Sequence, residues 1–208
     1  MKTTGKRQTL ADGELRYRLR CIDKLDHAFR GDETLLDTGC GDGGVARLLR
    51  QRVREVVGID VDGSPAWSEE EPGLSFTVAN AEQLPFADNS FDIVHSKDSL
   101  HHMESPERAL AEYRRVLKPD GSALIVEANR YNPIFYPHMT LALGHEHFSR
   151  RRFRTLVSAV FPDARYGAFE AHYAPQLERA LALQDFVEEA LQRFAPARPL
   201  LSYNFAVG

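Results

Sequence analysis

The sequence predicts an α/β fold in which a mostly parallel sheet carries helices on both faces, and three observations predict it. The apolar run Leu35-Leu36 enters the glycine cluster Asp37-Thr38-Gly39-Cys40-Gly41-Asp42-Gly43-Gly44, and Val45-Ala46-Arg47-Leu48-Leu49 leaves it with helical spacing. That order reads strand, Gly-rich turn, helix. About twenty residues further on, Glu55-Val56-Val57-Gly58-Ile59-Asp60 is a second apolar run ending in an acid. Further short apolar runs then alternate with helical stretches to the end of the chain.

The glycine cluster is a ligand cradle, because a backbone at positive φ that closely approaches a bound molecule leaves no room for a Cβ. Gly39, Gly41 and Gly44 satisfy the dinucleotide spacing G-x-G-x-x-G, which would seat a pyrophosphate on the helix N-terminus. Asp37 at the strand end and Asp42 inside the turn argue against that, since each would repel a pyrophosphate and favour a positively charged ligand. S-adenosylmethionine carries a sulfonium and an ammonium and no phosphate. The Asp37-x-Gly39-x-Gly41-x-Gly43 pattern resembles the first motif of the class I S-adenosylmethionine-dependent methyltransferases, close to the small-molecule enzymes of ubiquinone and menaquinone biosynthesis. Later motifs follow in the family's order over residues 33 to 127. The resemblance implies a doubly wound seven-stranded sheet of order 3-2-1-4-5-7-6 with strand 7 antiparallel. It also implies S-adenosyl-L-methionine as cofactor, with S-adenosyl-L-homocysteine as product, held at Asp37, Thr38, Gly39, Cys40 and Gly41.

The elements follow in order. Residues 1 to 9 read as disordered, and Leu10 to Phe29 as an amphipathic helix with Leu15, Leu19, Ile22, Leu25 and Phe29 on one face. In the family such a helix often closes over the cofactor, which would bring Arg18 to the cofactor's amino-acid end and Tyr17 beside the acceptor. Asp60 ends the second strand, where a carboxylate can accept both ribose hydroxyls, with Val61 packing on adenine. Residues 62 to 73 hold about two helical turns at most. Leu74 to Ala79 is a third strand, followed by Asn80-Ala81-Glu82, which resembles the family's adenine-side loop. Relatives commonly have Asp where Asn80 stands; the amide oxygen can still accept, without charge assistance. Ser90 to Ser96 is the fourth strand; it resembles the family's fourth motif, which implies that its end, Ser96, approaches the methionine part of the cofactor. In the loop after it, His101 and His102 are the candidate general bases, since imidazole titrates near neutral pH.

Ser105-Pro106-Glu107 opens a helix as N-cap and first turn. Lys118-Pro119-Asp120-Gly121 is expected to be a turn before the fifth strand, Ser122 to Glu127. Residues 128 to 148 are rich in aromatics and histidines and fall where the family inserts substrate-specific segments. Tyr131, Tyr136, His138, His145 and His147 are therefore candidate acceptor contacts. Ser149 caps a helix carrying Arg150, Arg151, Arg152 and Arg154, a local basic cluster that reads either as a solvated face or as a lure for an acceptor bearing carboxylate or phosphate. Ala164 to Ala171 and Leu201 to Val207 are the last strands, with Gln176 to Phe194 helical between them.

At 208 residues, 43% hydrophobic and 27% charged, the chain fits one domain, comprising a helix over 10–30, a cofactor core over 33–127 and cap segments over 128–148 and 174–196. A net charge of −4 gives no reason to expect nucleic acid. Cys21 and Cys40 are too few for a disulfide framework, and no metal site is expected. Without eighteen consecutive apolar residues the expectation is a cytoplasmic protein, off the membrane, monomeric or homodimeric. The expected reaction is methyl transfer to a small-molecule acceptor, with oxygen favoured over nitrogen or carbon. A nicotinamide-dependent oxidoreductase and a catalytically silent binding protein of the same fold are the rivals.

Overall fold

The computed structural model describes residues 12–68, 71–133, 136, 147–171 and 181–208. Its strands are β1 (Thr34–Thr38), β2 (Glu55–Asp60), β3 (Leu74–Val78), β4 (Phe91–Lys97), β5 (Leu117–Ala128), β6 (Arg165–Phe169) and β7 (Tyr203–Val207), set side by side in the order β3-β2-β1-β4-β5-β7-β6. Leu36 of β1 stands opposite Val57 of β2 on one side and Val94 of β4 on the other, both pairings parallel. Strand β7 is antiparallel to both β5 and β6, which is the order and the reversal the sequence implied. The sheet winds in opposite directions from β1, so the β1 and β4 carboxyl ends diverge and open a crevice.

Side-chain alternation along each strand builds the core on both faces. Leu36, Val94 and Ile125 face one side, against Leu110 and Tyr113 of α3 (Pro106–Val116) and Phe153 of α4 (Arg150–Ser158). Their neighbours Leu35, Ile93 and Leu124 face the other, against Leu49 of α2 (Gly44–Arg50) and Ile22 of α1 (Asp12–Asp23). Both expected caps form: Ser105 accepts from the Arg108 N–H and Ser149 from the Arg152 N–H, each at 3.3 Å.

Four local expectations change. Helix α1 ends at Asp23 rather than near Phe29, because the chain turns at Asp26, whose φ of 50° leaves the helical region. Among the described residues of the stretch after β2, the helical structure is a single 3₁₀ turn, Pro65–Ser68. Lys118 to Gly121 is absorbed into β5: the pairing register jumps between Phe91↔Leu117 and Ile93↔Ser122, so the turn survives as a bulge in a continuous strand. The last helix, α5, runs Leu181–Arg193, and residues 176–180 of the expected span lie outside the described residues. Polar side chains of α5 meet α1, with Asp185 paired to Arg16 and Arg20, and Glu188 buried 2.9 Å from Arg20. Its apolar residues Leu183, Phe186 and Val187 point outward instead.

Beneath the crevice a chain of buried hydroxyls joins the sheet to α3. Thr38 donates to the Tyr113 hydroxyl at 2.7 Å, Tyr113 to Ser96 at 3.3 Å, and Ser96 lies 2.8 Å from Ser99. Removing the central hydroxyl takes one bond from each neighbour, although Thr38 keeps the His95 carbonyl and Ser96 keeps Ser99. Tyr113→Phe is therefore expected to cost about 0.5–1.5 kcal/mol, read as a lower urea midpoint with an unchanged m-value.

Candidate functional site

At the carboxyl edge of the sheet lies a cleft of about 480 Å³, within the range of small-ligand sites. Gly39 forms its floor, Asp60 and Val61 one end, and Asn80, Ala81 and Glu82 a side wall. The loop after β4 closes the opposite side with Asp98, Ser99, His102, Met103 and Glu104. Four carboxylates line this cleft, and neither Lys nor Arg is among its described lining residues.

The turn after β1 offers backbone rather than side chains. Gly39 has φ 67°, and a Cβ there would sit 2.3 Å from the Ser99 Cβ, so only glycine lets the β4 loop pack against the turn. Gly41 has φ 53°, and the space where its Cβ would stand is open. Its N–H donates to Asp60 at 2.9 Å, and its carbonyl accepts from the Trp67 indole at 2.9 Å. Thr38, Cys40 and Ser96 are buried away from the cleft, Cys40 donating its N–H to the Ile59 carbonyl.

The two acids of the motif divide. Asp37 is buried with Oδ1 2.7 Å from His95 Nδ1, and its Oδ2 is buried without a hydrogen-bond partner. Asp42 receives two bonds of 3.0 Å from Arg18, which holds its carboxyl below the usual carboxylate range. Asp42 thus presents no bare charge, and Arg18 is occupied with Asp42 and Glu14 rather than lining the cleft. The acids that line the cleft are instead Asp60 and Glu104, together with Glu82 and Asp98, which are themselves paired with Arg108 and Lys97. Asn80 also departs from expectation: its amide oxygen accepts from the Glu82 N–H at 2.8 Å, folding the loop on itself.

A second cleft of about 440 Å³ adjoins the first, with Met103 and Glu104 lining both. It brings together His101, Tyr131, Tyr136 and His147 with Phe148, Arg130 and Arg152. His138 and His145 lie outside the described residues. Tyr17 lines neither cleft; it hydrogen-bonds to Tyr203 and accepts from the buried Lys97 at 3.1 Å, and Lys97 pairs with Asp98. His101 and His102 therefore separate, His102 to the first cleft and His101 to the second, their rings 4.0 Å apart. His101 Nδ1 is 2.6 Å from Glu127 Oε2, both side chains almost wholly buried. Burial disfavours the imidazolium, but the Glu127 carboxylate outweighs it and raises the His101 pKa. Burial likewise raises the Glu127 carboxyl, against the pull of His101.

Glu127, Ser99, Met103 and Glu104 are absent from the residues the sequence singles out for the site. Glu127 carries a usable signal: like Asp37 and Asp60, it is an acid at the carboxyl end of an apolar strand.

The fold and the glycine cradle define a class I S-adenosylmethionine-dependent methyltransferase, and comparison with known proteins agrees. Residues 36–125 match the family described as Methyltransferase domain. A 2-phytyl-1,4-naphthoquinone methyltransferase of Trichormus variabilis is 32% identical over 179 residues, 77% of this chain and 71% of that one. The methyltransferase YcgJ of Bacillus subtilis is 34% identical over 105 residues, 47% of this chain and 42% of YcgJ, so this match spans less than half of that relative. Among solved structures, a Haloferax volcanii methyltransferase complexed with the activator Trm112 superposes with a TM-score of 0.66 over 95% of this chain and 94% of its own, at 21% identity. The chain belongs to the S-adenosylmethionine-dependent methyltransferases. The nicotinamide alternative falls with that membership and with the four carboxylates of the cleft, which oppose a pyrophosphate. The residues present fit the sulfonium cofactor: an open glycine turn, the Asp60 carboxylate lining the cleft beside it and an unpartnered buried carboxylate oxygen on Asp37.

The His101–Glu127 pair fixes a pH dependence. Both groups bind protons more tightly folded than unfolded, so their stabilisation is greatest at low pH and is lost as pH rises through the raised His101 pKa. Glu127→Gln removes the carboxyl and the lift it gives His101. The stability advantage of wild type over this variant is expected to shrink as pH rises from the ordinary imidazole range through the raised His101 pKa, measured by urea unfolding. A constant difference would contradict the pairing.

Proposed function

We propose that the chain transfers the methyl group of S-adenosylmethionine to an oxygen of a small aromatic acceptor, in the cytoplasm and in the synthesis of a cofactor or secondary metabolite. The observation that carries this reading is the shared wall: Met103 and Glu104 belong to both the acidic cleft and the aromatic one beside it. Bound in the acidic cleft, the cofactor supplies a methyl group already made electrophilic by its sulfonium. Asp60 is the acceptor for the ribose hydroxyls, Val61 packs on the adenine, and Asn80, Ala81 and Glu82 close that side. The acids lining the cleft and the free oxygen of Asp37 suit the two positive groups.

Tyr131, Tyr136 and His147 hold the acceptor in the second cleft, and alignment across the shared wall supplies much of the acceleration. The relative named for a naphthoquinone supports a planar ring as the acceptor body. With Nδ1 directed to Glu127, His101 has Nε2 left to take the acceptor hydroxyl proton, and Glu127 stabilises the imidazolium that results. The neutral imidazole is the working form, so turnover rises with pH through the raised His101 pKa. Two buried free thiols, Cys21 and Cys40, support a reducing compartment.

Calorimetry tests the cofactor half of the reading. S-adenosylhomocysteine is expected to bind while nicotinamide dinucleotides give no heat, and Asp60→Ala is expected to weaken binding about tenfold, or about 1.4 kcal/mol. No binding to the wild type would favour a catalytically silent protein, and unchanged affinity in the variant would move the ribose away from Asp60. For the base, His101→Ala is expected to retain S-adenosylhomocysteine affinity but to lose turnover at saturating cofactor by about 10²-fold or more. Full turnover in that variant would remove His101 from proton transfer.

A further inference from the structure

We propose that the methyl acceptor is an anion, bearing a carboxylate or phosphate that Arg130 and Arg152 grip in the second cleft; this rests on the reading of that cleft as the acceptor site. The adjoining clefts carry opposite charge. Among their described lining residues, the cofactor cleft has four carboxylates, two of them paired with Lys97 and Arg108, and neither Lys nor Arg, whereas the acceptor cleft sets Arg130 and Arg152 against Glu104. That polarity runs against the whole chain, whose net charge is −4.

The pairing of the arginines sharpens the contrast. Arg16, Arg18, Arg20, Arg47, Arg52 and Arg115 each have a carboxylate within ion-pair distance. Among the described residues no ion pair engages Arg130 or Arg152; the Arg152 guanidinium lies over the Phe148 ring, 5.7 Å from its centroid. The two reach the cleft from separate elements, Arg130 from just beyond β5 and Arg152 from the first turn of α4. A guanidinium presents a planar fork of donors matched to carboxylate or phosphate oxygens, so two of them in one aromatic cleft select an aromatic anion. Arg150, Arg151 and Arg154 flank a neighbouring groove of about 560 Å³ on α4.

Binding to the S-adenosylhomocysteine-loaded protein, followed by calorimetry, tests the proposal. The probes are aromatic carboxylates such as 3,4-dihydroxybenzoate, each with its neutral amide, and phenyl phosphate. At least one anion is expected to bind about tenfold or more tightly than its neutral counterpart, and whether carboxylate or phosphate binds identifies the group. The preference is expected to vanish in the Arg130→Gln, Arg152→Gln double variant while S-adenosylhomocysteine affinity stays unchanged, which also reports an intact fold. Equal binding of acid and amide, no binding of any anionic probe, or a preference that survives the double substitution would overturn the proposal. Failure of the methyltransferase reading has a different signature, the absence of S-adenosylhomocysteine binding with or without the substitutions.

Discussion

The carboxylate of Glu127, fully buried at the end of β5, is the contact on which both clefts depend. One oxygen accepts the N–H groups of Ser99 and Leu100 at 3.1 and 2.8 Å, and the other meets His101 at 2.6 Å. Buried backbone donors with no partner carry a penalty comparable to a lost hydrogen bond, so this acid fixes the path of the loop after β4. Asp98 answers in the reverse direction, accepting the Ala128 N–H at 3.0 Å from a backbone with φ 52°. The two strand exits are laced together, and residues 98 to 104 become a rigid partition with a cleft on each side.

Acids at the carboxyl ends of strands recur, with a different duty at each. Asp37 turns inward to His95, Asp60 bonds the Gly41 N–H of the neighbouring turn, and Glu127 ties the β4 loop. The cradle itself works through backbone: glycines at positive φ bring the chain close, while Thr38 and Ser96 tie the turn to Tyr113 below. Placing a chain of hydroxyls directly beneath a bent main chain resists relaxation of that bend. Lys97, buried beside Tyr17 and Tyr203, keeps its charge because Asp98 outweighs the penalty of burial. The wall of the cofactor cleft is thereby tied to α1 and β7 as well.

Charge is sorted across the partition. Four carboxylates line the first cleft, and Arg130 and Arg152, for which no ion pair occurs among the described residues, line the second. Neighbouring fields of opposite sign favour one orientation of a cation and an anion approaching from either side. That supports alignment as a main source of acceleration in methyl transfer.

Much of this was legible in the sequence because it is local. Period-two apolar runs, the glycine cluster, the Ser105-Pro106 and Ser149 caps and the acid closing β2 each depend on a few neighbouring residues, and with the family motifs they determined strand order and cofactor class. Which charges face a ligand was not local. Asp42 lost its expected role to Arg18, 24 residues earlier, and His101 parted from His102 because Glu127, 26 residues later, claims one imidazole. Register decided whether Lys118 to Gly121 formed a turn or a bulge, and contact with α1 turned the apolar side of α5 outward. Side-chain direction and ion pairing depend on partners that only folding brings together, so only the tertiary structure could assign each charged group to the ligand or to the scaffold.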